Sequence, residues 1–221
     1  MENLFRVDDI KVDMPSKVLS DNVAKIAVIG VGGGGCNMIN HMINESSHKI
    51  DLIAANTDLQ VLHISKAPKK IQLGLKLTKG LGAGMKPEVG RDSAVESYEE
   101  IKATLKGADI IFIAAGLGGG TGTGAAAIIA KAAKEIGALT VSVVTKPFTW
   151  EGKKRAGLAN LGLEELKKVS DSIIIVPNDR LLEIIDENVG MKDAFKIIDN
   201  ILYQAVNGMS EVILNPGNSD I

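Results

Sequence analysis

The chain has 221 residues, 45% of them hydrophobic and 24% charged, with a formal net charge of −2. That length carries one large α/β domain or two small ones with ample core, and the near-neutral balance, without any Lys/Arg cluster, excludes an electrostatic footprint for nucleic acid. The single cysteine, Cys36, excludes an intramolecular disulfide framework and fits a reducing compartment, while no apolar run reaches the roughly 18 residues of a membrane span. Residues 1–22 have acids early and no apolar signal-peptide core. They are expected to form a loosely held arm on a cytoplasmic protein without direct membrane insertion.

The first periodic element is KIAVIG (Lys25–Gly30), a β-branched run, followed by CNMINHMIN at helical spacing. DLIAANT (Asp51–Thr57) and KKIQLG (Lys69–Gly74) are two more short strand-like runs. PEVGRDSAVESYEEIKATL (Pro87–Leu105) reads as one helix with its proline at the start. ADIIFIAAG follows, then a helix from about 122 to 136, the strand LTVSVVT, a helix from about 152 to 168, and the strand SIIIVPN. Short, continuously apolar strands alternating with helices predict a mostly parallel sheet with helices on both faces, a Rossmann-like three-layer α/β sandwich. No repeat or low-complexity linker interrupts it.

The glycines mark where ligand chemistry is expected. Of 24, five fall in Gly30–Gly35, four in Gly74–Gly84 and six in Gly116–Gly124. GVGGGG fits G-x-G-x-x-G through Gly30, Gly32 and Gly35, after a strand and opening a helix. GGGTGTG (Gly118–Gly124) stands at a second strand-to-helix turn. In open parallel sheets such turns share the carboxyl edge, where ligands bind. Two sets of bare N–H groups and two positive helix ends form an anion site suited to several phosphates. No G-x-x-x-x-G-K-[ST] is present and no Lys or Arg lies in either loop. Backbone N–H groups, the Thr121 and Thr123 hydroxyls and a metal ion are expected to meet the phosphate charge instead. Helix N-capping is the competing role for the two threonines, but a cap does not require five glycines.

GGGTGTG resembles the signature of the tubulin/FtsZ superfamily. GVGGGGCN, NTDLQ, TKGLGAG, VTKPFTWEGKKR and VPNDRLLEI resemble matching segments of its FtsZ branch, cell-division GTPases of bacteria, in order from 25 to 214. The resemblance implies a site for GTP or GDP with Mg2+ held mainly by phosphates and water. It assigns the first phosphate loop to Gly32, Gly33, Gly34, Gly35, Cys36 and Asn37. Ala83 and Gly84 approach the terminal phosphate. Gly118, Gly119, Gly120, Thr121, Gly122, Thr123 and Gly124 form the second grip. Glu151 and Arg155 contact ribose and nearby phosphate; without the family they read as an ordinary i,i+4 ion pair. Asn178 and Asp199 face guanine, whose N1–H and N2–H one carboxylate can accept together. Phe195, four residues before Asp199, stacks on the base, packs in the core, or does both. Cys36 reads as a small space-filler that alkylates in an empty site. His41, His48 and His63 show no metal spacing and read as solvated or satisfied surface residues. Gly122→Val is expected to abolish nucleotide binding with the secondary structure intact.

The resemblance also implies an organisation. Residues 23–190 form the GTP-binding domain, 191–214 a long central helix packed on two sides, and 215–221 the start of a connection to a further domain. Its apolar residues fall into two stripes, Ala194–Ile198–Ile201–Ala205 and Phe195–Leu202–Val206–Met209. In the family the chain continues into an Asn-x-Asp-Phe-Ala-Asp segment whose acid helps activate water on the next subunit's GTP, so no catalytic residue is expected within these 221 residues. The implied partners are other copies, head to tail in filaments of the mid-cell division ring, and tethering and regulatory division proteins reached through C-terminal regions. Two other classes remain open at this stage: a nicotinamide-dependent oxidoreductase built on GVGGGG, and a non-enzymatic module whose glycines only permit tight turns.

Overall fold

A computed structural model describes residues 24–45, 50–182 and 190–214. The arm assigned to 1–22 and the connection at 215–221 lie outside them. Six strands, β1 (Ile26–Val31), β2 (Asp51–Asn56), β3 (Lys69–Gln72), β4 (Ile110–Gly116), β5 (Leu139–Lys146) and β6 (Ser172–Pro177), form one sheet. Its order is β3-β2-β1-β4-β5-β6, and every pairing is parallel. The order reverses between β1 and β4, and that switch point is where a doubly wound sheet opens a crevice at its carboxyl edge.

The β-branched runs form strands because both their faces are buried. In β1, Ala27, Ile29 and Val31 enter one core and Ile26 and Val28 the other. In β4, Ile111, Ile113 and Ala115 alternate in the same way with Ile110, Phe112 and Ala114. The first core is covered by α4 (Pro87–Glu96), α5 (Tyr98–Leu105), α6 (Thr121–Glu135) and α7 (Lys153–Lys167). The second lies under α1 (Gly32–Glu45), α2 (Leu59–Ile64) and α9 (Met191–Leu214), with α3 (Leu75–Thr78) and α8 (Asp179–Leu182) as short connectors. The result is the expected three-layer sandwich.

Two sequence expectations change. The single helix expected over 87–105 is broken at Ser97, whose backbone leaves helical geometry (φ −95°, ψ 15°). Its hydroxyl accepts the Gly74 N–H at 3.1 Å and faces the Gln72 carbonyl at 3.4 Å, tying the helix break to the turn after β3. The second concerns α9. Ala194, Ile198, Leu202, Val206 and Ser210 are buried on one face, packed on α1 and β5. Ile201, Ala205 and Met209 are only partly buried beside them, and Phe195 is exposed. The buried stripe therefore combines residues of the two expected ones, and among the described residues one side of the helix is covered.

Candidate functional site

All three glycine clusters meet at the switch point. A Cβ on Gly32, whose φ is +72°, would lie 2.8 Å from the Gly122 nitrogen, so the first loop rests directly on the second. A Cβ on Gly120 would lie 2.8 Å from the Ala83 Cβ and 3.0 Å from the Lys86 nitrogen, placing the third loop against GGGTGTG. The Thr57 and Thr121 hydroxyls are 2.6 Å apart, joining the end of β2 to the same junction. On the far side, a Cβ on Gly118 (φ +101°) would lie 3.0 Å from the Arg155 carbonyl oxygen at the start of α7. Gly118–Gly124 is thus a hub touched by four parts of the chain.

The glycines divide into two kinds. Some are bare because protein backbone is already there. A Cβ on Gly124 would collide with the Pro87 carbonyl and approach the Arg91 nitrogen to 2.6 Å. One on Gly122 would lie 2.6 Å from the Gly116 oxygen and 3.3 Å from the Val31 oxygen. Gly30 and Gly35 would collide with each other's backbone or with Ala114. Others face open space: Gly33, Gly84 and Gly119 have nothing within 4 Å of an added Cβ. This corrects the expectation for Gly122→Val, because the valine would strain the fold as well as the site.

Two side chains of the glycine loops are turned inward. Cys36 is fully buried, its thiol facing the Gly30 and Ala55 carbonyls at 3.9 Å and the Asn56 amide at 3.8 Å. Burial pushes that thiol up to about 11, against the pull of the Asn56 and Ala55 contacts. Alkylation of Cys36 is therefore disfavoured, and only its backbone can face a ligand. Thr123 is buried and its Oγ1 accepts the Gly118 N–H at 2.8 Å, stapling the loop. Asn37, Gly33 and Gly34 remain exposed.

The end beyond β5 and β6 is built from side chains. Glu151 accepts the Phe148 N–H at 2.8 Å and pairs with Arg155, so its carboxylate holds the turn that starts α7. Asp179 accepts both the Thr149 N–H (2.8 Å) and its hydroxyl (2.6 Å), linking the ends of β5 and β6. Phe148, Trp150 and Phe195 form an aromatic trio: Phe148 stacks on Trp150 at 4.9 Å, and Phe195 meets both edge-on at 5.8 and 6.4 Å. Asn178 is 4% exposed, and its Oδ1 has no hydrogen-bond partner. Asp199 stands on α9 with no bond to Asn178. Burial pushes its carboxyl up to about 6, and the charge of His41 opposes that rise. His41 itself is partly buried between α1 and α9 rather than solvated. Thr57, Phe148, Trp150 and Asp179 were not singled out in the sequence. NTDLQ, VTKPFTWEGKKR and VPNDR contain all four, so the motifs marked their segments without marking their roles.

The fit to a nucleotide can be judged on this geometry. Open Cβ positions at Gly33 and Gly119 leave room for a ligand against bare backbone beside the N-termini of α1 and α6. A buried, partnerless amide oxygen at Asn178 and a desolvated carboxyl at Asp199 are acceptors that suit a ligand's N–H donors. Among the described residues no group of three or more His, Cys, Asp or Glu could hold a metal, and no helix is long and apolar enough to cross a membrane.

Comparison with known proteins agrees with this arrangement. Residues 25–186 match the Tubulin/FtsZ family, GTPase domain. An empty FtsZ dimer of M. jannaschii superposes with a TM-score of 0.86 at 48% identity, covering 92% of this chain and 59% of that one. CetZ2 of Haloferax volcanii, a GTPγS-bound protofilament, superposes with a TM-score of 0.77 at 23% identity, covering 86% of this chain and 59% of that one. GDP-bound CetZ1 of the same organism gives 0.75 at 22%, over 84% and 60%. The two CetZ structures share the fold. This chain spans about three-fifths of the length of the structures it matches. The meeting of three glycine loops at the β1/β4 switch point and the match over residues 25–186 place the chain in the tubulin/FtsZ family, whose GTPase domain it carries.

Proposed function

We propose that this chain is the guanine-nucleotide-binding part of an FtsZ-like, filament-forming GTPase of the division ring. The observation that carries the reading is the meeting of Gly32, Gly122 and the Ala83–Gly120 contact around the open Gly33 and Gly119 positions. Backbone N–H groups from the starts of α1 and α6 bind the phosphates, with Gly84 beside the terminal one. At the other end, Asp199 accepts the N1–H and N2–H donors of guanine. Adenine lacks that pair and would leave a desolvated carboxylate unmatched. Asn178 supplies the second acceptor, and Phe195 with its aromatic neighbours gives the base an apolar wall. Arg155 reaches ribose or phosphate, and Glu151 acts by holding Arg155. Mg2+ is held by phosphates and water and offsets the charge that no Lys or Arg of the loops meets.

Hydrolysis needs an activated water. The 221 residues contain no Asn-x-Asp-Phe-Ala-Asp segment, and in this reading the acid comes from a neighbouring subunit. General-base assistance commonly contributes about 10²- to 10⁴-fold, so the chain by itself is expected to bind GTP and release phosphate very slowly. The M. jannaschii relative was solved as a dimer, which supports self-association, here head to tail. Tethering and regulatory division proteins are the further partners of this reading, and mid-cell its location.

A thermal-shift panel tests the reading. Micromolar GTP or GDP with Mg2+ is expected to raise the Tm, while ATP and NAD(H) are not. A shift with NAD(H) alone would move the protein to the oxidoreductase reading, and no shift with any of them would leave the glycines as turn-formers. Phosphate release at rising chain concentration tests the shared site: brisk, concentration-dependent turnover would refute it.

A further inference from the structure

The contact between α1 and α9 contains a polar cluster that neither phosphate binding nor core packing requires. His41 lies on α1, the helix whose first turn forms the first glycine loop. Its Nε2 is 3.3 Å from Asn200 Oδ1 on α9, an oxygen that accepts, so the imidazole donates. Its ring meets Tyr203 edge-on at 5.7 Å with an interplanar angle of 84°. Asn200 directly follows Asp199, and Tyr203 lies one helical turn beyond it, so both flank the carboxylate assigned to guanine.

We propose that His41 is a positioning residue for base recognition: by holding Asn200 and Tyr203 it sets where α9 presents Asp199, and it joins the base-reading helix to the phosphate-gripping one. This rests on the reading of Asp199 as the guanine acceptor. The alternative for a histidine between two helices is packing alone, which a hydrophobic residue would serve better. Here the imidazole makes a directed polar contact next to a desolvated carboxyl.

Charge acts in the same direction. A protonated imidazole attracts the Asp199 carboxylate and so favours the form that accepts from guanine. Among the described side chains, the other ionisable groups on elements packed against α9 are Cys36 on α1, Lys146 on β5, Asp179 and Arg180 on α8, and Asp193, Lys196 and Tyr203 on α9 itself. Asp179 is bonded to Thr149 and Lys196 to Asp193. Among the described residues His41 alone exerts a resolved charge effect on Asp199.

The test uses the 221-residue chain with His41→Gln and His41→Ala. Glutamine keeps a donor for Asn200 without the charge. Three quantities are read: the Asp199 titration midpoint by carboxyl NMR without nucleotide, the affinity for GDP, and the affinity for inorganic pyrophosphate, which probes only the phosphate end. His41→Gln is expected to keep the melting temperature, raise the Asp199 midpoint and weaken GDP about fivefold, the effect of one hydrogen bond or one charge contact. Pyrophosphate binding is expected to stay unchanged. His41→Ala should lose more GDP affinity than His41→Gln. An unmoved Asp199 midpoint with unchanged GDP affinity in His41→Gln would overturn the role given to His41, as would an equal loss of GDP and pyrophosphate. A wild-type chain that binds pyrophosphate but not GDP would instead overturn the reading of Asp199, and is recognised because it needs no variant.

Discussion

The two ends of the crevice are built by different means. At the β1/β4 end the ligand surface is backbone: glycine loops pressed together so closely that several have no room for a Cβ. At the β5/β6 end it is side chain: Glu151 on Arg155, Asp179 on Thr149, an aromatic trio, and the desolvated acceptors of Asn178 and Asp199. In the proposed reading, phosphate is met by many weak, fixed dipoles that cost no reorganisation, and the base by a few acceptors whose placement decides which base is bound. The first end should therefore fail through the fold and the second through specificity.

The largest effect expected separates two glycines of the hub, Gly119 and Gly124, that differ in role more than in sequence position. Gly124→Val drives a branched side chain into the Pro87 carbonyl and the α4 backbone, and is expected to cost about 3 kcal/mol or more of stability. Gly119→Val points into open space and is expected to leave the Tm nearly unchanged while removing nucleotide binding. Thermal melts with and without GTP check both. A stable Gly124→Val or a GTP-responsive Gly119→Val would dissolve the division between packing glycines and ligand-facing ones.

At the other end, Asp199→Ala is expected to weaken GTP by about 2 kcal/mol or more, since it strands two buried guanine donors. ATP should not be affected, so the preference collapses while the melting curve survives. Nucleotide affinities measured side by side decide this, and unchanged preference for GTP over ATP would remove Asp199 from the base site.

What the sequence disclosed follows the same division. Strands with both faces buried write themselves as continuous β-branched runs, and packed loops write themselves as glycine, so the sheet and the glycine-built end of the crevice are legible in local pattern. Ser97 was not, because the helix break it makes is fixed by Gly74 and Gln72, more than twenty residues away. The inward turn of Cys36 depends on Ala55 and Asn56 of β2. Asp179 looks like any turn aspartate until its bonds to Thr149, thirty residues earlier, are seen. The buried stripe of α9 was blurred because apolar residues flank it on both sides. Contacts between distant segments leave no period in the chain, and the end built from side chains consists of little else.

A smaller effect isolates one bond within the backbone-built end. Thr123→Val keeps the side-chain shape but removes the acceptor of the buried Gly118 N–H. It is expected to cost about 1–3 kcal/mol, the penalty of an unsatisfied buried donor. Hydrogen exchange at Gly118 should quicken in step with the fall in Tm. Equal exchange in both proteins would show that the staple is not what holds the loop.

The smallest effect runs in opposite directions with and without ligand, which makes it the sharpest comparison of the two ends. Burial pushes Asp199 up to about 6 in the folded chain, opposed in part by His41, whereas an unfolded Asp titrates near 3.9. A raised carboxyl contributes stability that is full below the unfolded value and is lost as pH rises through about 6. Without nucleotide, lowering pH from 7 to 5 should therefore make this contribution more favourable by about 1 kcal/mol once solvent access is allowed for, or roughly 2–4 °C in Tm. Binding has the reverse sign. Guanine needs the carboxylate, so the Tm increment given by GTP should shrink over the same interval as Asp199 takes up its proton. Asp199→Asn should flatten the ligand-free trend relative to wild type and remove the pH dependence of the GTP increment. The backbone-built end has no group that titrates in this range, so the increment given by pyrophosphate should owe nothing to Asp199. If the GTP and pyrophosphate increments faded together in wild type and in Asp199→Asn alike, the pH dependence would belong to the phosphates and not to the base end.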